Sequence, residues 1–79
     1  MTNKKEVLVK RVLAAVFNVP SEEINYESSP DNIESWDSLK HMNMVIALEE
    51  EFDIEIANED LIEMINYKLV VLILSKYII

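Results

Sequence analysis

The chain has 79 residues, 51% of them hydrophobic, and its 15 acidic and 7 basic residues give a net charge of −8. That length suits a single domain over residues 1–79 with a small core and excludes a second, and the acidic balance argues against nucleic acid while suiting partners with a basic patch. There is no cysteine and no glycine, which removes disulfides, Cys-based metal sites and nucleophiles, P-loops and dinucleotide fingerprints together.

The first residues, Met1 to Glu6, do not lead into an apolar stretch of the signal-peptide kind. Residues 4 to 17 read as a helix, with Val9, Val12, Leu13 and Val16 on one face, flanked by Leu8 and Phe17. Thr2 or Asn3 can cap its start, with Glu6 in the first turn. Pro20 disfavours helical geometry in the residue before it, so the helix stops near Asn18.

Residues 18 to 37 form a long connection rich in turn formers, among them Pro20, Asn25, Ser28, Ser29, Pro30, Asp31 and Asn32. Connections of this length in a small domain are often functional. Ser21-Glu22-Glu23 can open one helical turn that buries Ile24, and Tyr26, Ile33 and Trp36 are the expected anchors to the core.

A second helix is predicted from Ser38 to Phe52, with Asp37 as its N-cap. At 100° per residue two apolar faces separate. Met44, Val45, Leu48 and Phe52 form the wide one, expected to face the core. Leu39, Met42 and Ile46 form a second stripe, with Asn43 and Glu50 between the two and Glu49 at the stripe's border. An extra apolar stripe rimmed by acids suggests a docking surface.

Asp53-Ile54-Glu55-Ile56 alternates, but no second strand is available to pair with it. It reads as an extended connector that buries Ile54 or Ile56. Asn58 is expected to cap a short helix through Glu59, Asp60, Leu61 and Ile62, and a last helix runs from Asn66 to Tyr77. Its run Leu69 to Leu74 is the longest unbroken apolar stretch, far too short to span a bilayer. The expected fold is all-α: a four-helix bundle with a short third helix and a long loop between helices one and two. The expected protein is small, soluble, cytoplasmic and monomeric.

The sharpest local feature is Asp37-Ser38-Leu39 at the start of the second helix. A serine there lies among unpaired backbone N–H groups at the positive end of the helix dipole, where an attached phosphate is electrostatically favoured. From these three residues alone, simple helix capping is the better account of both Asp37 and Ser38.

The surrounding residues change that weighing. Glu34-Ser35-Trp36-Asp37-Ser38-Leu39, followed by Ala47-Leu48-Glu49-Glu50-Glu51-Phe52-Asp53-Ile54-Glu55-Ile56, resembles the acyl carrier protein family, as does Phe17-Asn18-Val19-Pro20-Ser21-Glu22-Glu23-Ile24. The likeness covers nearly the whole chain, strongest from 36 to 62. It implies that Ser38 carries a covalent 4′-phosphopantetheine whose thiol holds an acyl group as a thioester. It implies that Asp37 assists recognition by a phosphopantetheinyl transferase, with Leu39 completing the motif. Partner enzymes with basic patches, which load and process the acyl group, would meet Leu39, Met42 and Ile46 and the acids Glu49 and Glu50. The resemblance also places a modifiable serine beside a flexible loop, and an acyl-chain site between helices lined in part by the last one. Its excess apolar surface then has several readings: a larger acyl pocket, a partner surface, marginal order without cargo, or a generous core. The chain itself would be a carrier for fatty-acyl or related lipid metabolism, not an enzyme.

Departures from the family narrow this. Acids are common two and five residues after the serine; here stand Lys40 and Asn43. A reversed charge at Lys40 disfavours generic fatty-acid-synthase partners. Trp36 replaces a small residue and is expected to anchor the loop. These changes point to a dedicated carrier for a specialised fatty-acyl or polyketide-type pathway. An aminoacyl or peptidyl carrier, and an unmodified helical interaction module docking through Leu39, Met42 and Ile46, are the alternatives. The lone His41 with Ser38 and Asp37 invites a catalytic-triad reading, which fails because neighbours on one helix do not give triad geometry. The acids from Glu49 to Asp60 lack the alternation and glycine of a calcium loop, so no metal site is expected.

Overall fold

Helix α1, Lys4–Phe17, buries Val9, Leu13 and Phe17, each four residues from the last, so its core stripe runs straight along one face. Val12 and Val16 pack beside that stripe, half-buried. The structure, a computed structural model, describes residues 4–78. The expected caps Thr2 and Asn3 therefore lie outside the described residues. The helix ends where Asn18 takes left-handed backbone geometry, φ 56°, and the Val19 N–H donates to the Ala14 carbonyl at 3.1 Å. Helix α2, Ser38–Phe52, ends the same way, with Asp53 at φ 54° and the Ile54 N–H on the Glu49 carbonyl at 3.0 Å. Glycine usually fills such positions; asparagine and aspartate tolerate them best among the other residues. A chain without glycine has used those two.

The described residues form four α-helices and no strand, the remaining two being α3, Asn58–Leu61, and α4, Tyr67–Leu74. The all-α bundle with a short third helix is thus observed. α1 packs against α2. The core face of α2 is Met44, Val45 and Leu48, fully buried, with Phe52 half-buried at its edge. Of the two isoleucines after α2, Ile56 is buried and Ile54 lies partly covered against the core. α4 adds Tyr67, Val70, Ile73 and Leu74, while Leu72 is 54% exposed, so its apolar excess does reach the surface.

The long connection between α1 and α2 is more structured than a flexible loop. Ser21–Glu23 is one 3-10 turn, and it delivers Ile24 into the core as expected. Ser28 is the one buried polar residue among those described. Its hydroxyl accepts from the Asn25 N–H at 2.9 Å, and its carbonyl accepts from the Tyr67 N–H at 2.8 Å, pinning the loop to the start of α4. Asn25, Ser29 and Asn32 fold their side chains back onto nearby backbone groups, the local bonding that makes these residues turn formers. The Ser35 hydroxyl donates to the Phe17 carbonyl at 2.7 Å.

Three expectations are corrected. Tyr26 is no core anchor: it is 55% exposed, because its hydroxyl bonds the Glu6 carboxylate at the surface while its ring stacks on Tyr67 at 5.7 Å. Ile33 and Trp36 do anchor the loop. Asn58 does not cap α3; it is the first helical residue, preceded by Ala57, which makes no side-chain cap. The last helix is shorter than expected at both ends. Asn66 lies outside it as the N-cap, accepting from the Leu69 N–H at 2.8 Å. After Leu74 the chain tightens to bonds from Lys76 to Ile73 and from Tyr77 to Leu74. That tight turn carries the Tyr77 hydroxyl to the Asp60 carboxylate, where Lys76 also donates at 2.8 Å, tying the C-terminal turn to α3.

Candidate functional site

The start of α2 is set by Asp37. Its extended backbone stops the loop, and its carboxylate accepts from the Lys40 N–H at 2.8 Å, satisfying one of the helix's open donors. Ser38 follows as the first helical residue, exposed to solvent. Among the described residues its hydroxyl has no hydrogen-bond partner, so capping accounts for Asp37 and not for Ser38.

Beside Ser38 runs a groove of about 590 Å³. Pro30, Asp37 and Ser38 line it from the loop and the start of α2; Met42, Ile62 and Ile65 bring apolar side chains, 41%, 68% and 58% exposed. Trp36, His41 and Leu61 complete the lining. Trp36 is buried, its ring stacked on Phe17 with centroids 4.6 Å apart. The Trp36 indole N–H donates to His41 Nδ1 at 3.1 Å. An indole nitrogen only donates, so His41 carries its proton on Nε2, which donates to the Leu61 carbonyl at 2.8 Å. A half-buried histidine therefore links the loop, α2 and α3. Both ring nitrogens are occupied, so His41 takes no hydrogen bond from Ser38.

The expected docking residues divide. Leu39, Met42 and Ile46 are 70%, 41% and 50% exposed on one face of α2, as the helical spacing requires. Glu50 is exposed on that same side. Glu49 is half-buried and turned inward: its carboxylate accepts from the Ile56 N–H at 2.8 Å and holds the connector that follows α2. Sequence reasoning missed that structural bond, the His41 link, and the exposure of Ile62 and Ile65. The last was detectable, because a helix of one turn cannot bury every apolar residue of Leu61-Ile62-Glu63-Met64-Ile65. The groove at Ser38 is lined from α2 and α3, and none of the α4 residues lines it.

The arrangement suits a tethered group. An unbonded, exposed hydroxyl stands at the positive end of a 15-residue helix, next to an apolar groove. Asp37 adds a negative charge at the rim, with its carboxylate held by the Lys40 N–H. Among the described residues no His, Cys, Asp and Glu cluster can hold a metal ion.

The family profile described as "Phosphopantetheine attachment site" matches residues 7–68. An acyl carrier protein of Buchnera aphidicola subsp. Schizaphis graminum is 41% identical over 59 residues, 73% of each chain. The solution structure of holo acyl carrier protein from Geobacter metallireducens superposes with a TM-score of 0.79 at 28% identity, over 90% of this chain and 82% of that one. The fold is that of a helical carrier domain. The chain belongs to the acyl carrier protein family, whose cofactor is a covalently attached phosphopantetheine. Among the described residues no helix is long and apolar enough to cross a membrane.

Proposed function

We propose that Ser38 carries the 4′-phosphopantetheine and that residues 1–79 act as one cytoplasmic carrier of acyl intermediates in a specialised fatty-acyl or polyketide-type pathway. The observation that carries this reading is the unbonded, exposed Ser38 hydroxyl at the start of α2 beside an apolar groove. The arm supplies the thiol that this cysteine-free chain lacks. Ser38 supplies the oxygen for the phosphoester, and Asp37 fixes the helix start that presents it. The chain catalyses no step of its own; a phosphopantetheinyl transferase modifies it.

Partner enzymes meet Leu39, Met42 and Ile46 as apolar contacts, with Glu50 as an exposed acid for a basic patch. Glu49 contributes its charge from a position tied to Ile56. Lys40 directly follows Leu39, about 100° round the helix from it, and favours partners other than those built to meet an acid there. An aminoacyl or peptidyl cargo is the alternative that Lys40 also allows.

Intact-mass spectrometry after incubation with coenzyme A, magnesium and a broad-specificity transferase tests the site. One added phosphopantetheine on the parent, absent from Ser38→Ala, is the expected result. An addition that persists in Ser38→Ala would move the site elsewhere. No addition, even with the source organism's transferase, would favour the unmodified docking module.

A further inference from the structure

His41 and Trp36 are the chain's single histidine and single tryptophan, and the fold brings them together. The indole N–H donates to His41 Nδ1 at 3.1 Å, and His41 Nε2 donates to the Leu61 carbonyl at 2.8 Å. The His41 backbone N–H sits on the Asp37 carbonyl at 2.8 Å, within the first turn of α2. One side chain thus ties the end of the loop to α2 and α3. Trp36 immediately precedes Asp37, whose cap sets the helix start.

This tie holds in one protonation state. An indole nitrogen only donates, so it needs a bare Nδ1 as acceptor. A second proton on the imidazole places a hydrogen on Nδ1 and leaves two donors facing each other. The rings offer no compensating contact. Their planes lie 19° apart with centroids 6.3 Å apart, and the bond joins them at their edges. An imidazolium charge there meets the positive edge of the indole and not the face that attracts cations. Trp36 is 4% exposed, and a buried N–H without an acceptor is unfavourable, so the loop end must shift for the indole to find another. The Leu61 bond survives, because Nε2 donates in both states.

Histidine ordinarily changes charge between about pH 5 and 8. The charged groups that flank the tie are Glu34 and Asp37 in the loop, Lys40 on α2, Glu59 and Asp60 on α3, and Glu63 just after it. Of these, Asp37 alone lines the groove with His41, and its carboxylate is bound to the Lys40 N–H. Asp60 is held by Lys76 and Tyr77, and Glu34, Glu59 and Glu63 are exposed. Carboxylates and lysine ammonium groups ordinarily titrate outside that range.

We propose that neutral His41 is a pH-sensitive clasp: a proton on Nδ1 releases its Trp36 half, frees the end of the loop that precedes Ser38, and leaves the α3 half closed. The clasp is a property of the fold and does not depend on what Ser38 carries.

The test follows the full chain by nuclear magnetic resonance from about pH 8 to about pH 5, where histidine ordinarily titrates. The single indole N–H gives one proton–nitrogen resonance, and the ring Hε1 of the single histidine reports its own charge. The indole resonance should move on the same curve as His41, in the direction of a lost hydrogen bond, while the helical circular dichroism stays constant. His41→Gln retains a side-chain acceptor and a donor and has no proton to gain. In this variant the indole resonance should stay flat across the range, with the fold again checked by circular dichroism. An indole resonance that ignores the titration of His41 would overturn the proposal, as would a His41 that stays neutral throughout. So would a His41→Gln variant whose indole follows the parent's curve, because another group would then drive it. Loss of the helical signal together with the indole shift would mean general unfolding and would also count against the clasp. If the variant does not fold, the parent titration alone decides.

Discussion

Ser28 and Ser38 belong to the same stretch of chain, yet the fold treats them oppositely. Ser28 is 2% exposed, its hydroxyl accepting from Asn25 and lying 3.4 Å from the Glu23 carbonyl, its own carbonyl accepting from Tyr67. Ser38 is exposed and its hydroxyl is unbonded among the described residues. The two faces of α2 repeat the contrast. Met44, Val45 and Leu48 are sunk in the core, whereas Leu39, Met42 and Ile46 stand in solvent. Among the described residues no buried side-chain nitrogen or oxygen lacks a hydrogen-bond partner. At the proposed attachment and docking face the protein leaves both a hydroxyl and apolar surface open to solvent.

The sharpest way to break that contrast is to cross the two faces of α2. Leu48→Ala leaves a cavity in a fully buried site and should cost about 2–5 kcal/mol. Met42→Glu changes a residue 41% exposed and should leave the thermal melt nearly unchanged while weakening binding to partner enzymes. If Met42→Glu proves the more destabilising of the two in denaturant titrations, the assignment of faces is wrong.

The serine pair should separate next, by a smaller margin. Ser28→Ala strips the acceptor from the Asn25 N–H and should cost about 1–3 kcal/mol, with phosphopantetheine addition intact. Ser38→Ala should melt like the parent, as surface substitutions generally do. Equal losses of stability in both would show that Ser38 has a structural role after all.

The helical pattern was readable because apolar spacing reports which face is buried. α1 and α2 begin and end where periodicity, Asp37 and Pro20 place them. The second stripe of α2 was readable for the same reason, since Leu39, Met42 and Ile46 cannot share a side with Leu48. What the pattern hides is bonding between residues far apart in the chain. Nothing local marks Glu49 as the acceptor for Ile56, or distinguishes His41 as a link between Trp36 and α3 from a histidine in solvent. Tyr26 misled for a related reason: an aromatic ring in a loop suggests burial, but its hydroxyl found Glu6 at the surface. The end of α4 was misjudged because no proline or glycine follows Leu74 and Tyr77 falls near the helical spacing of the core face, while the tight turn that stops the helix serves a long-range contact from Tyr77 to Asp60.

That contact sharpens the comparison with a third case, a half-buried Asp60 tied to an exposed Lys76. Hydrogen bonds from Lys76, and then from Tyr77, lower the Asp60 carboxyl below its ordinary value of 3.8, more than burial raises it. A carboxyl lowered in the folded state contributes stability that is fully present above its ordinary range and disappears as pH falls through its folded value. Lys76 is raised by the same bond, so its share is present below its ordinary value of 10.5 and disappears as pH climbs through the raised one. The expected outcome is that Asp60→Asn lowers the melting temperature modestly at neutral pH. Its deficit should shrink as pH drops below 3.8, where the parent's Asp60 also takes up a proton. Added salt should shrink the neutral-pH deficit in part, because the exposed Lys76 ammonium is screened while Asp60 is mostly covered. Melts across that acid range decide the matter. A deficit that stays constant to low pH would mean that Asp60 acts through the shape of its hydrogen bonds, which asparagine can only partly reproduce, and that its charge contributes nothing to holding the C-terminal turn on α3.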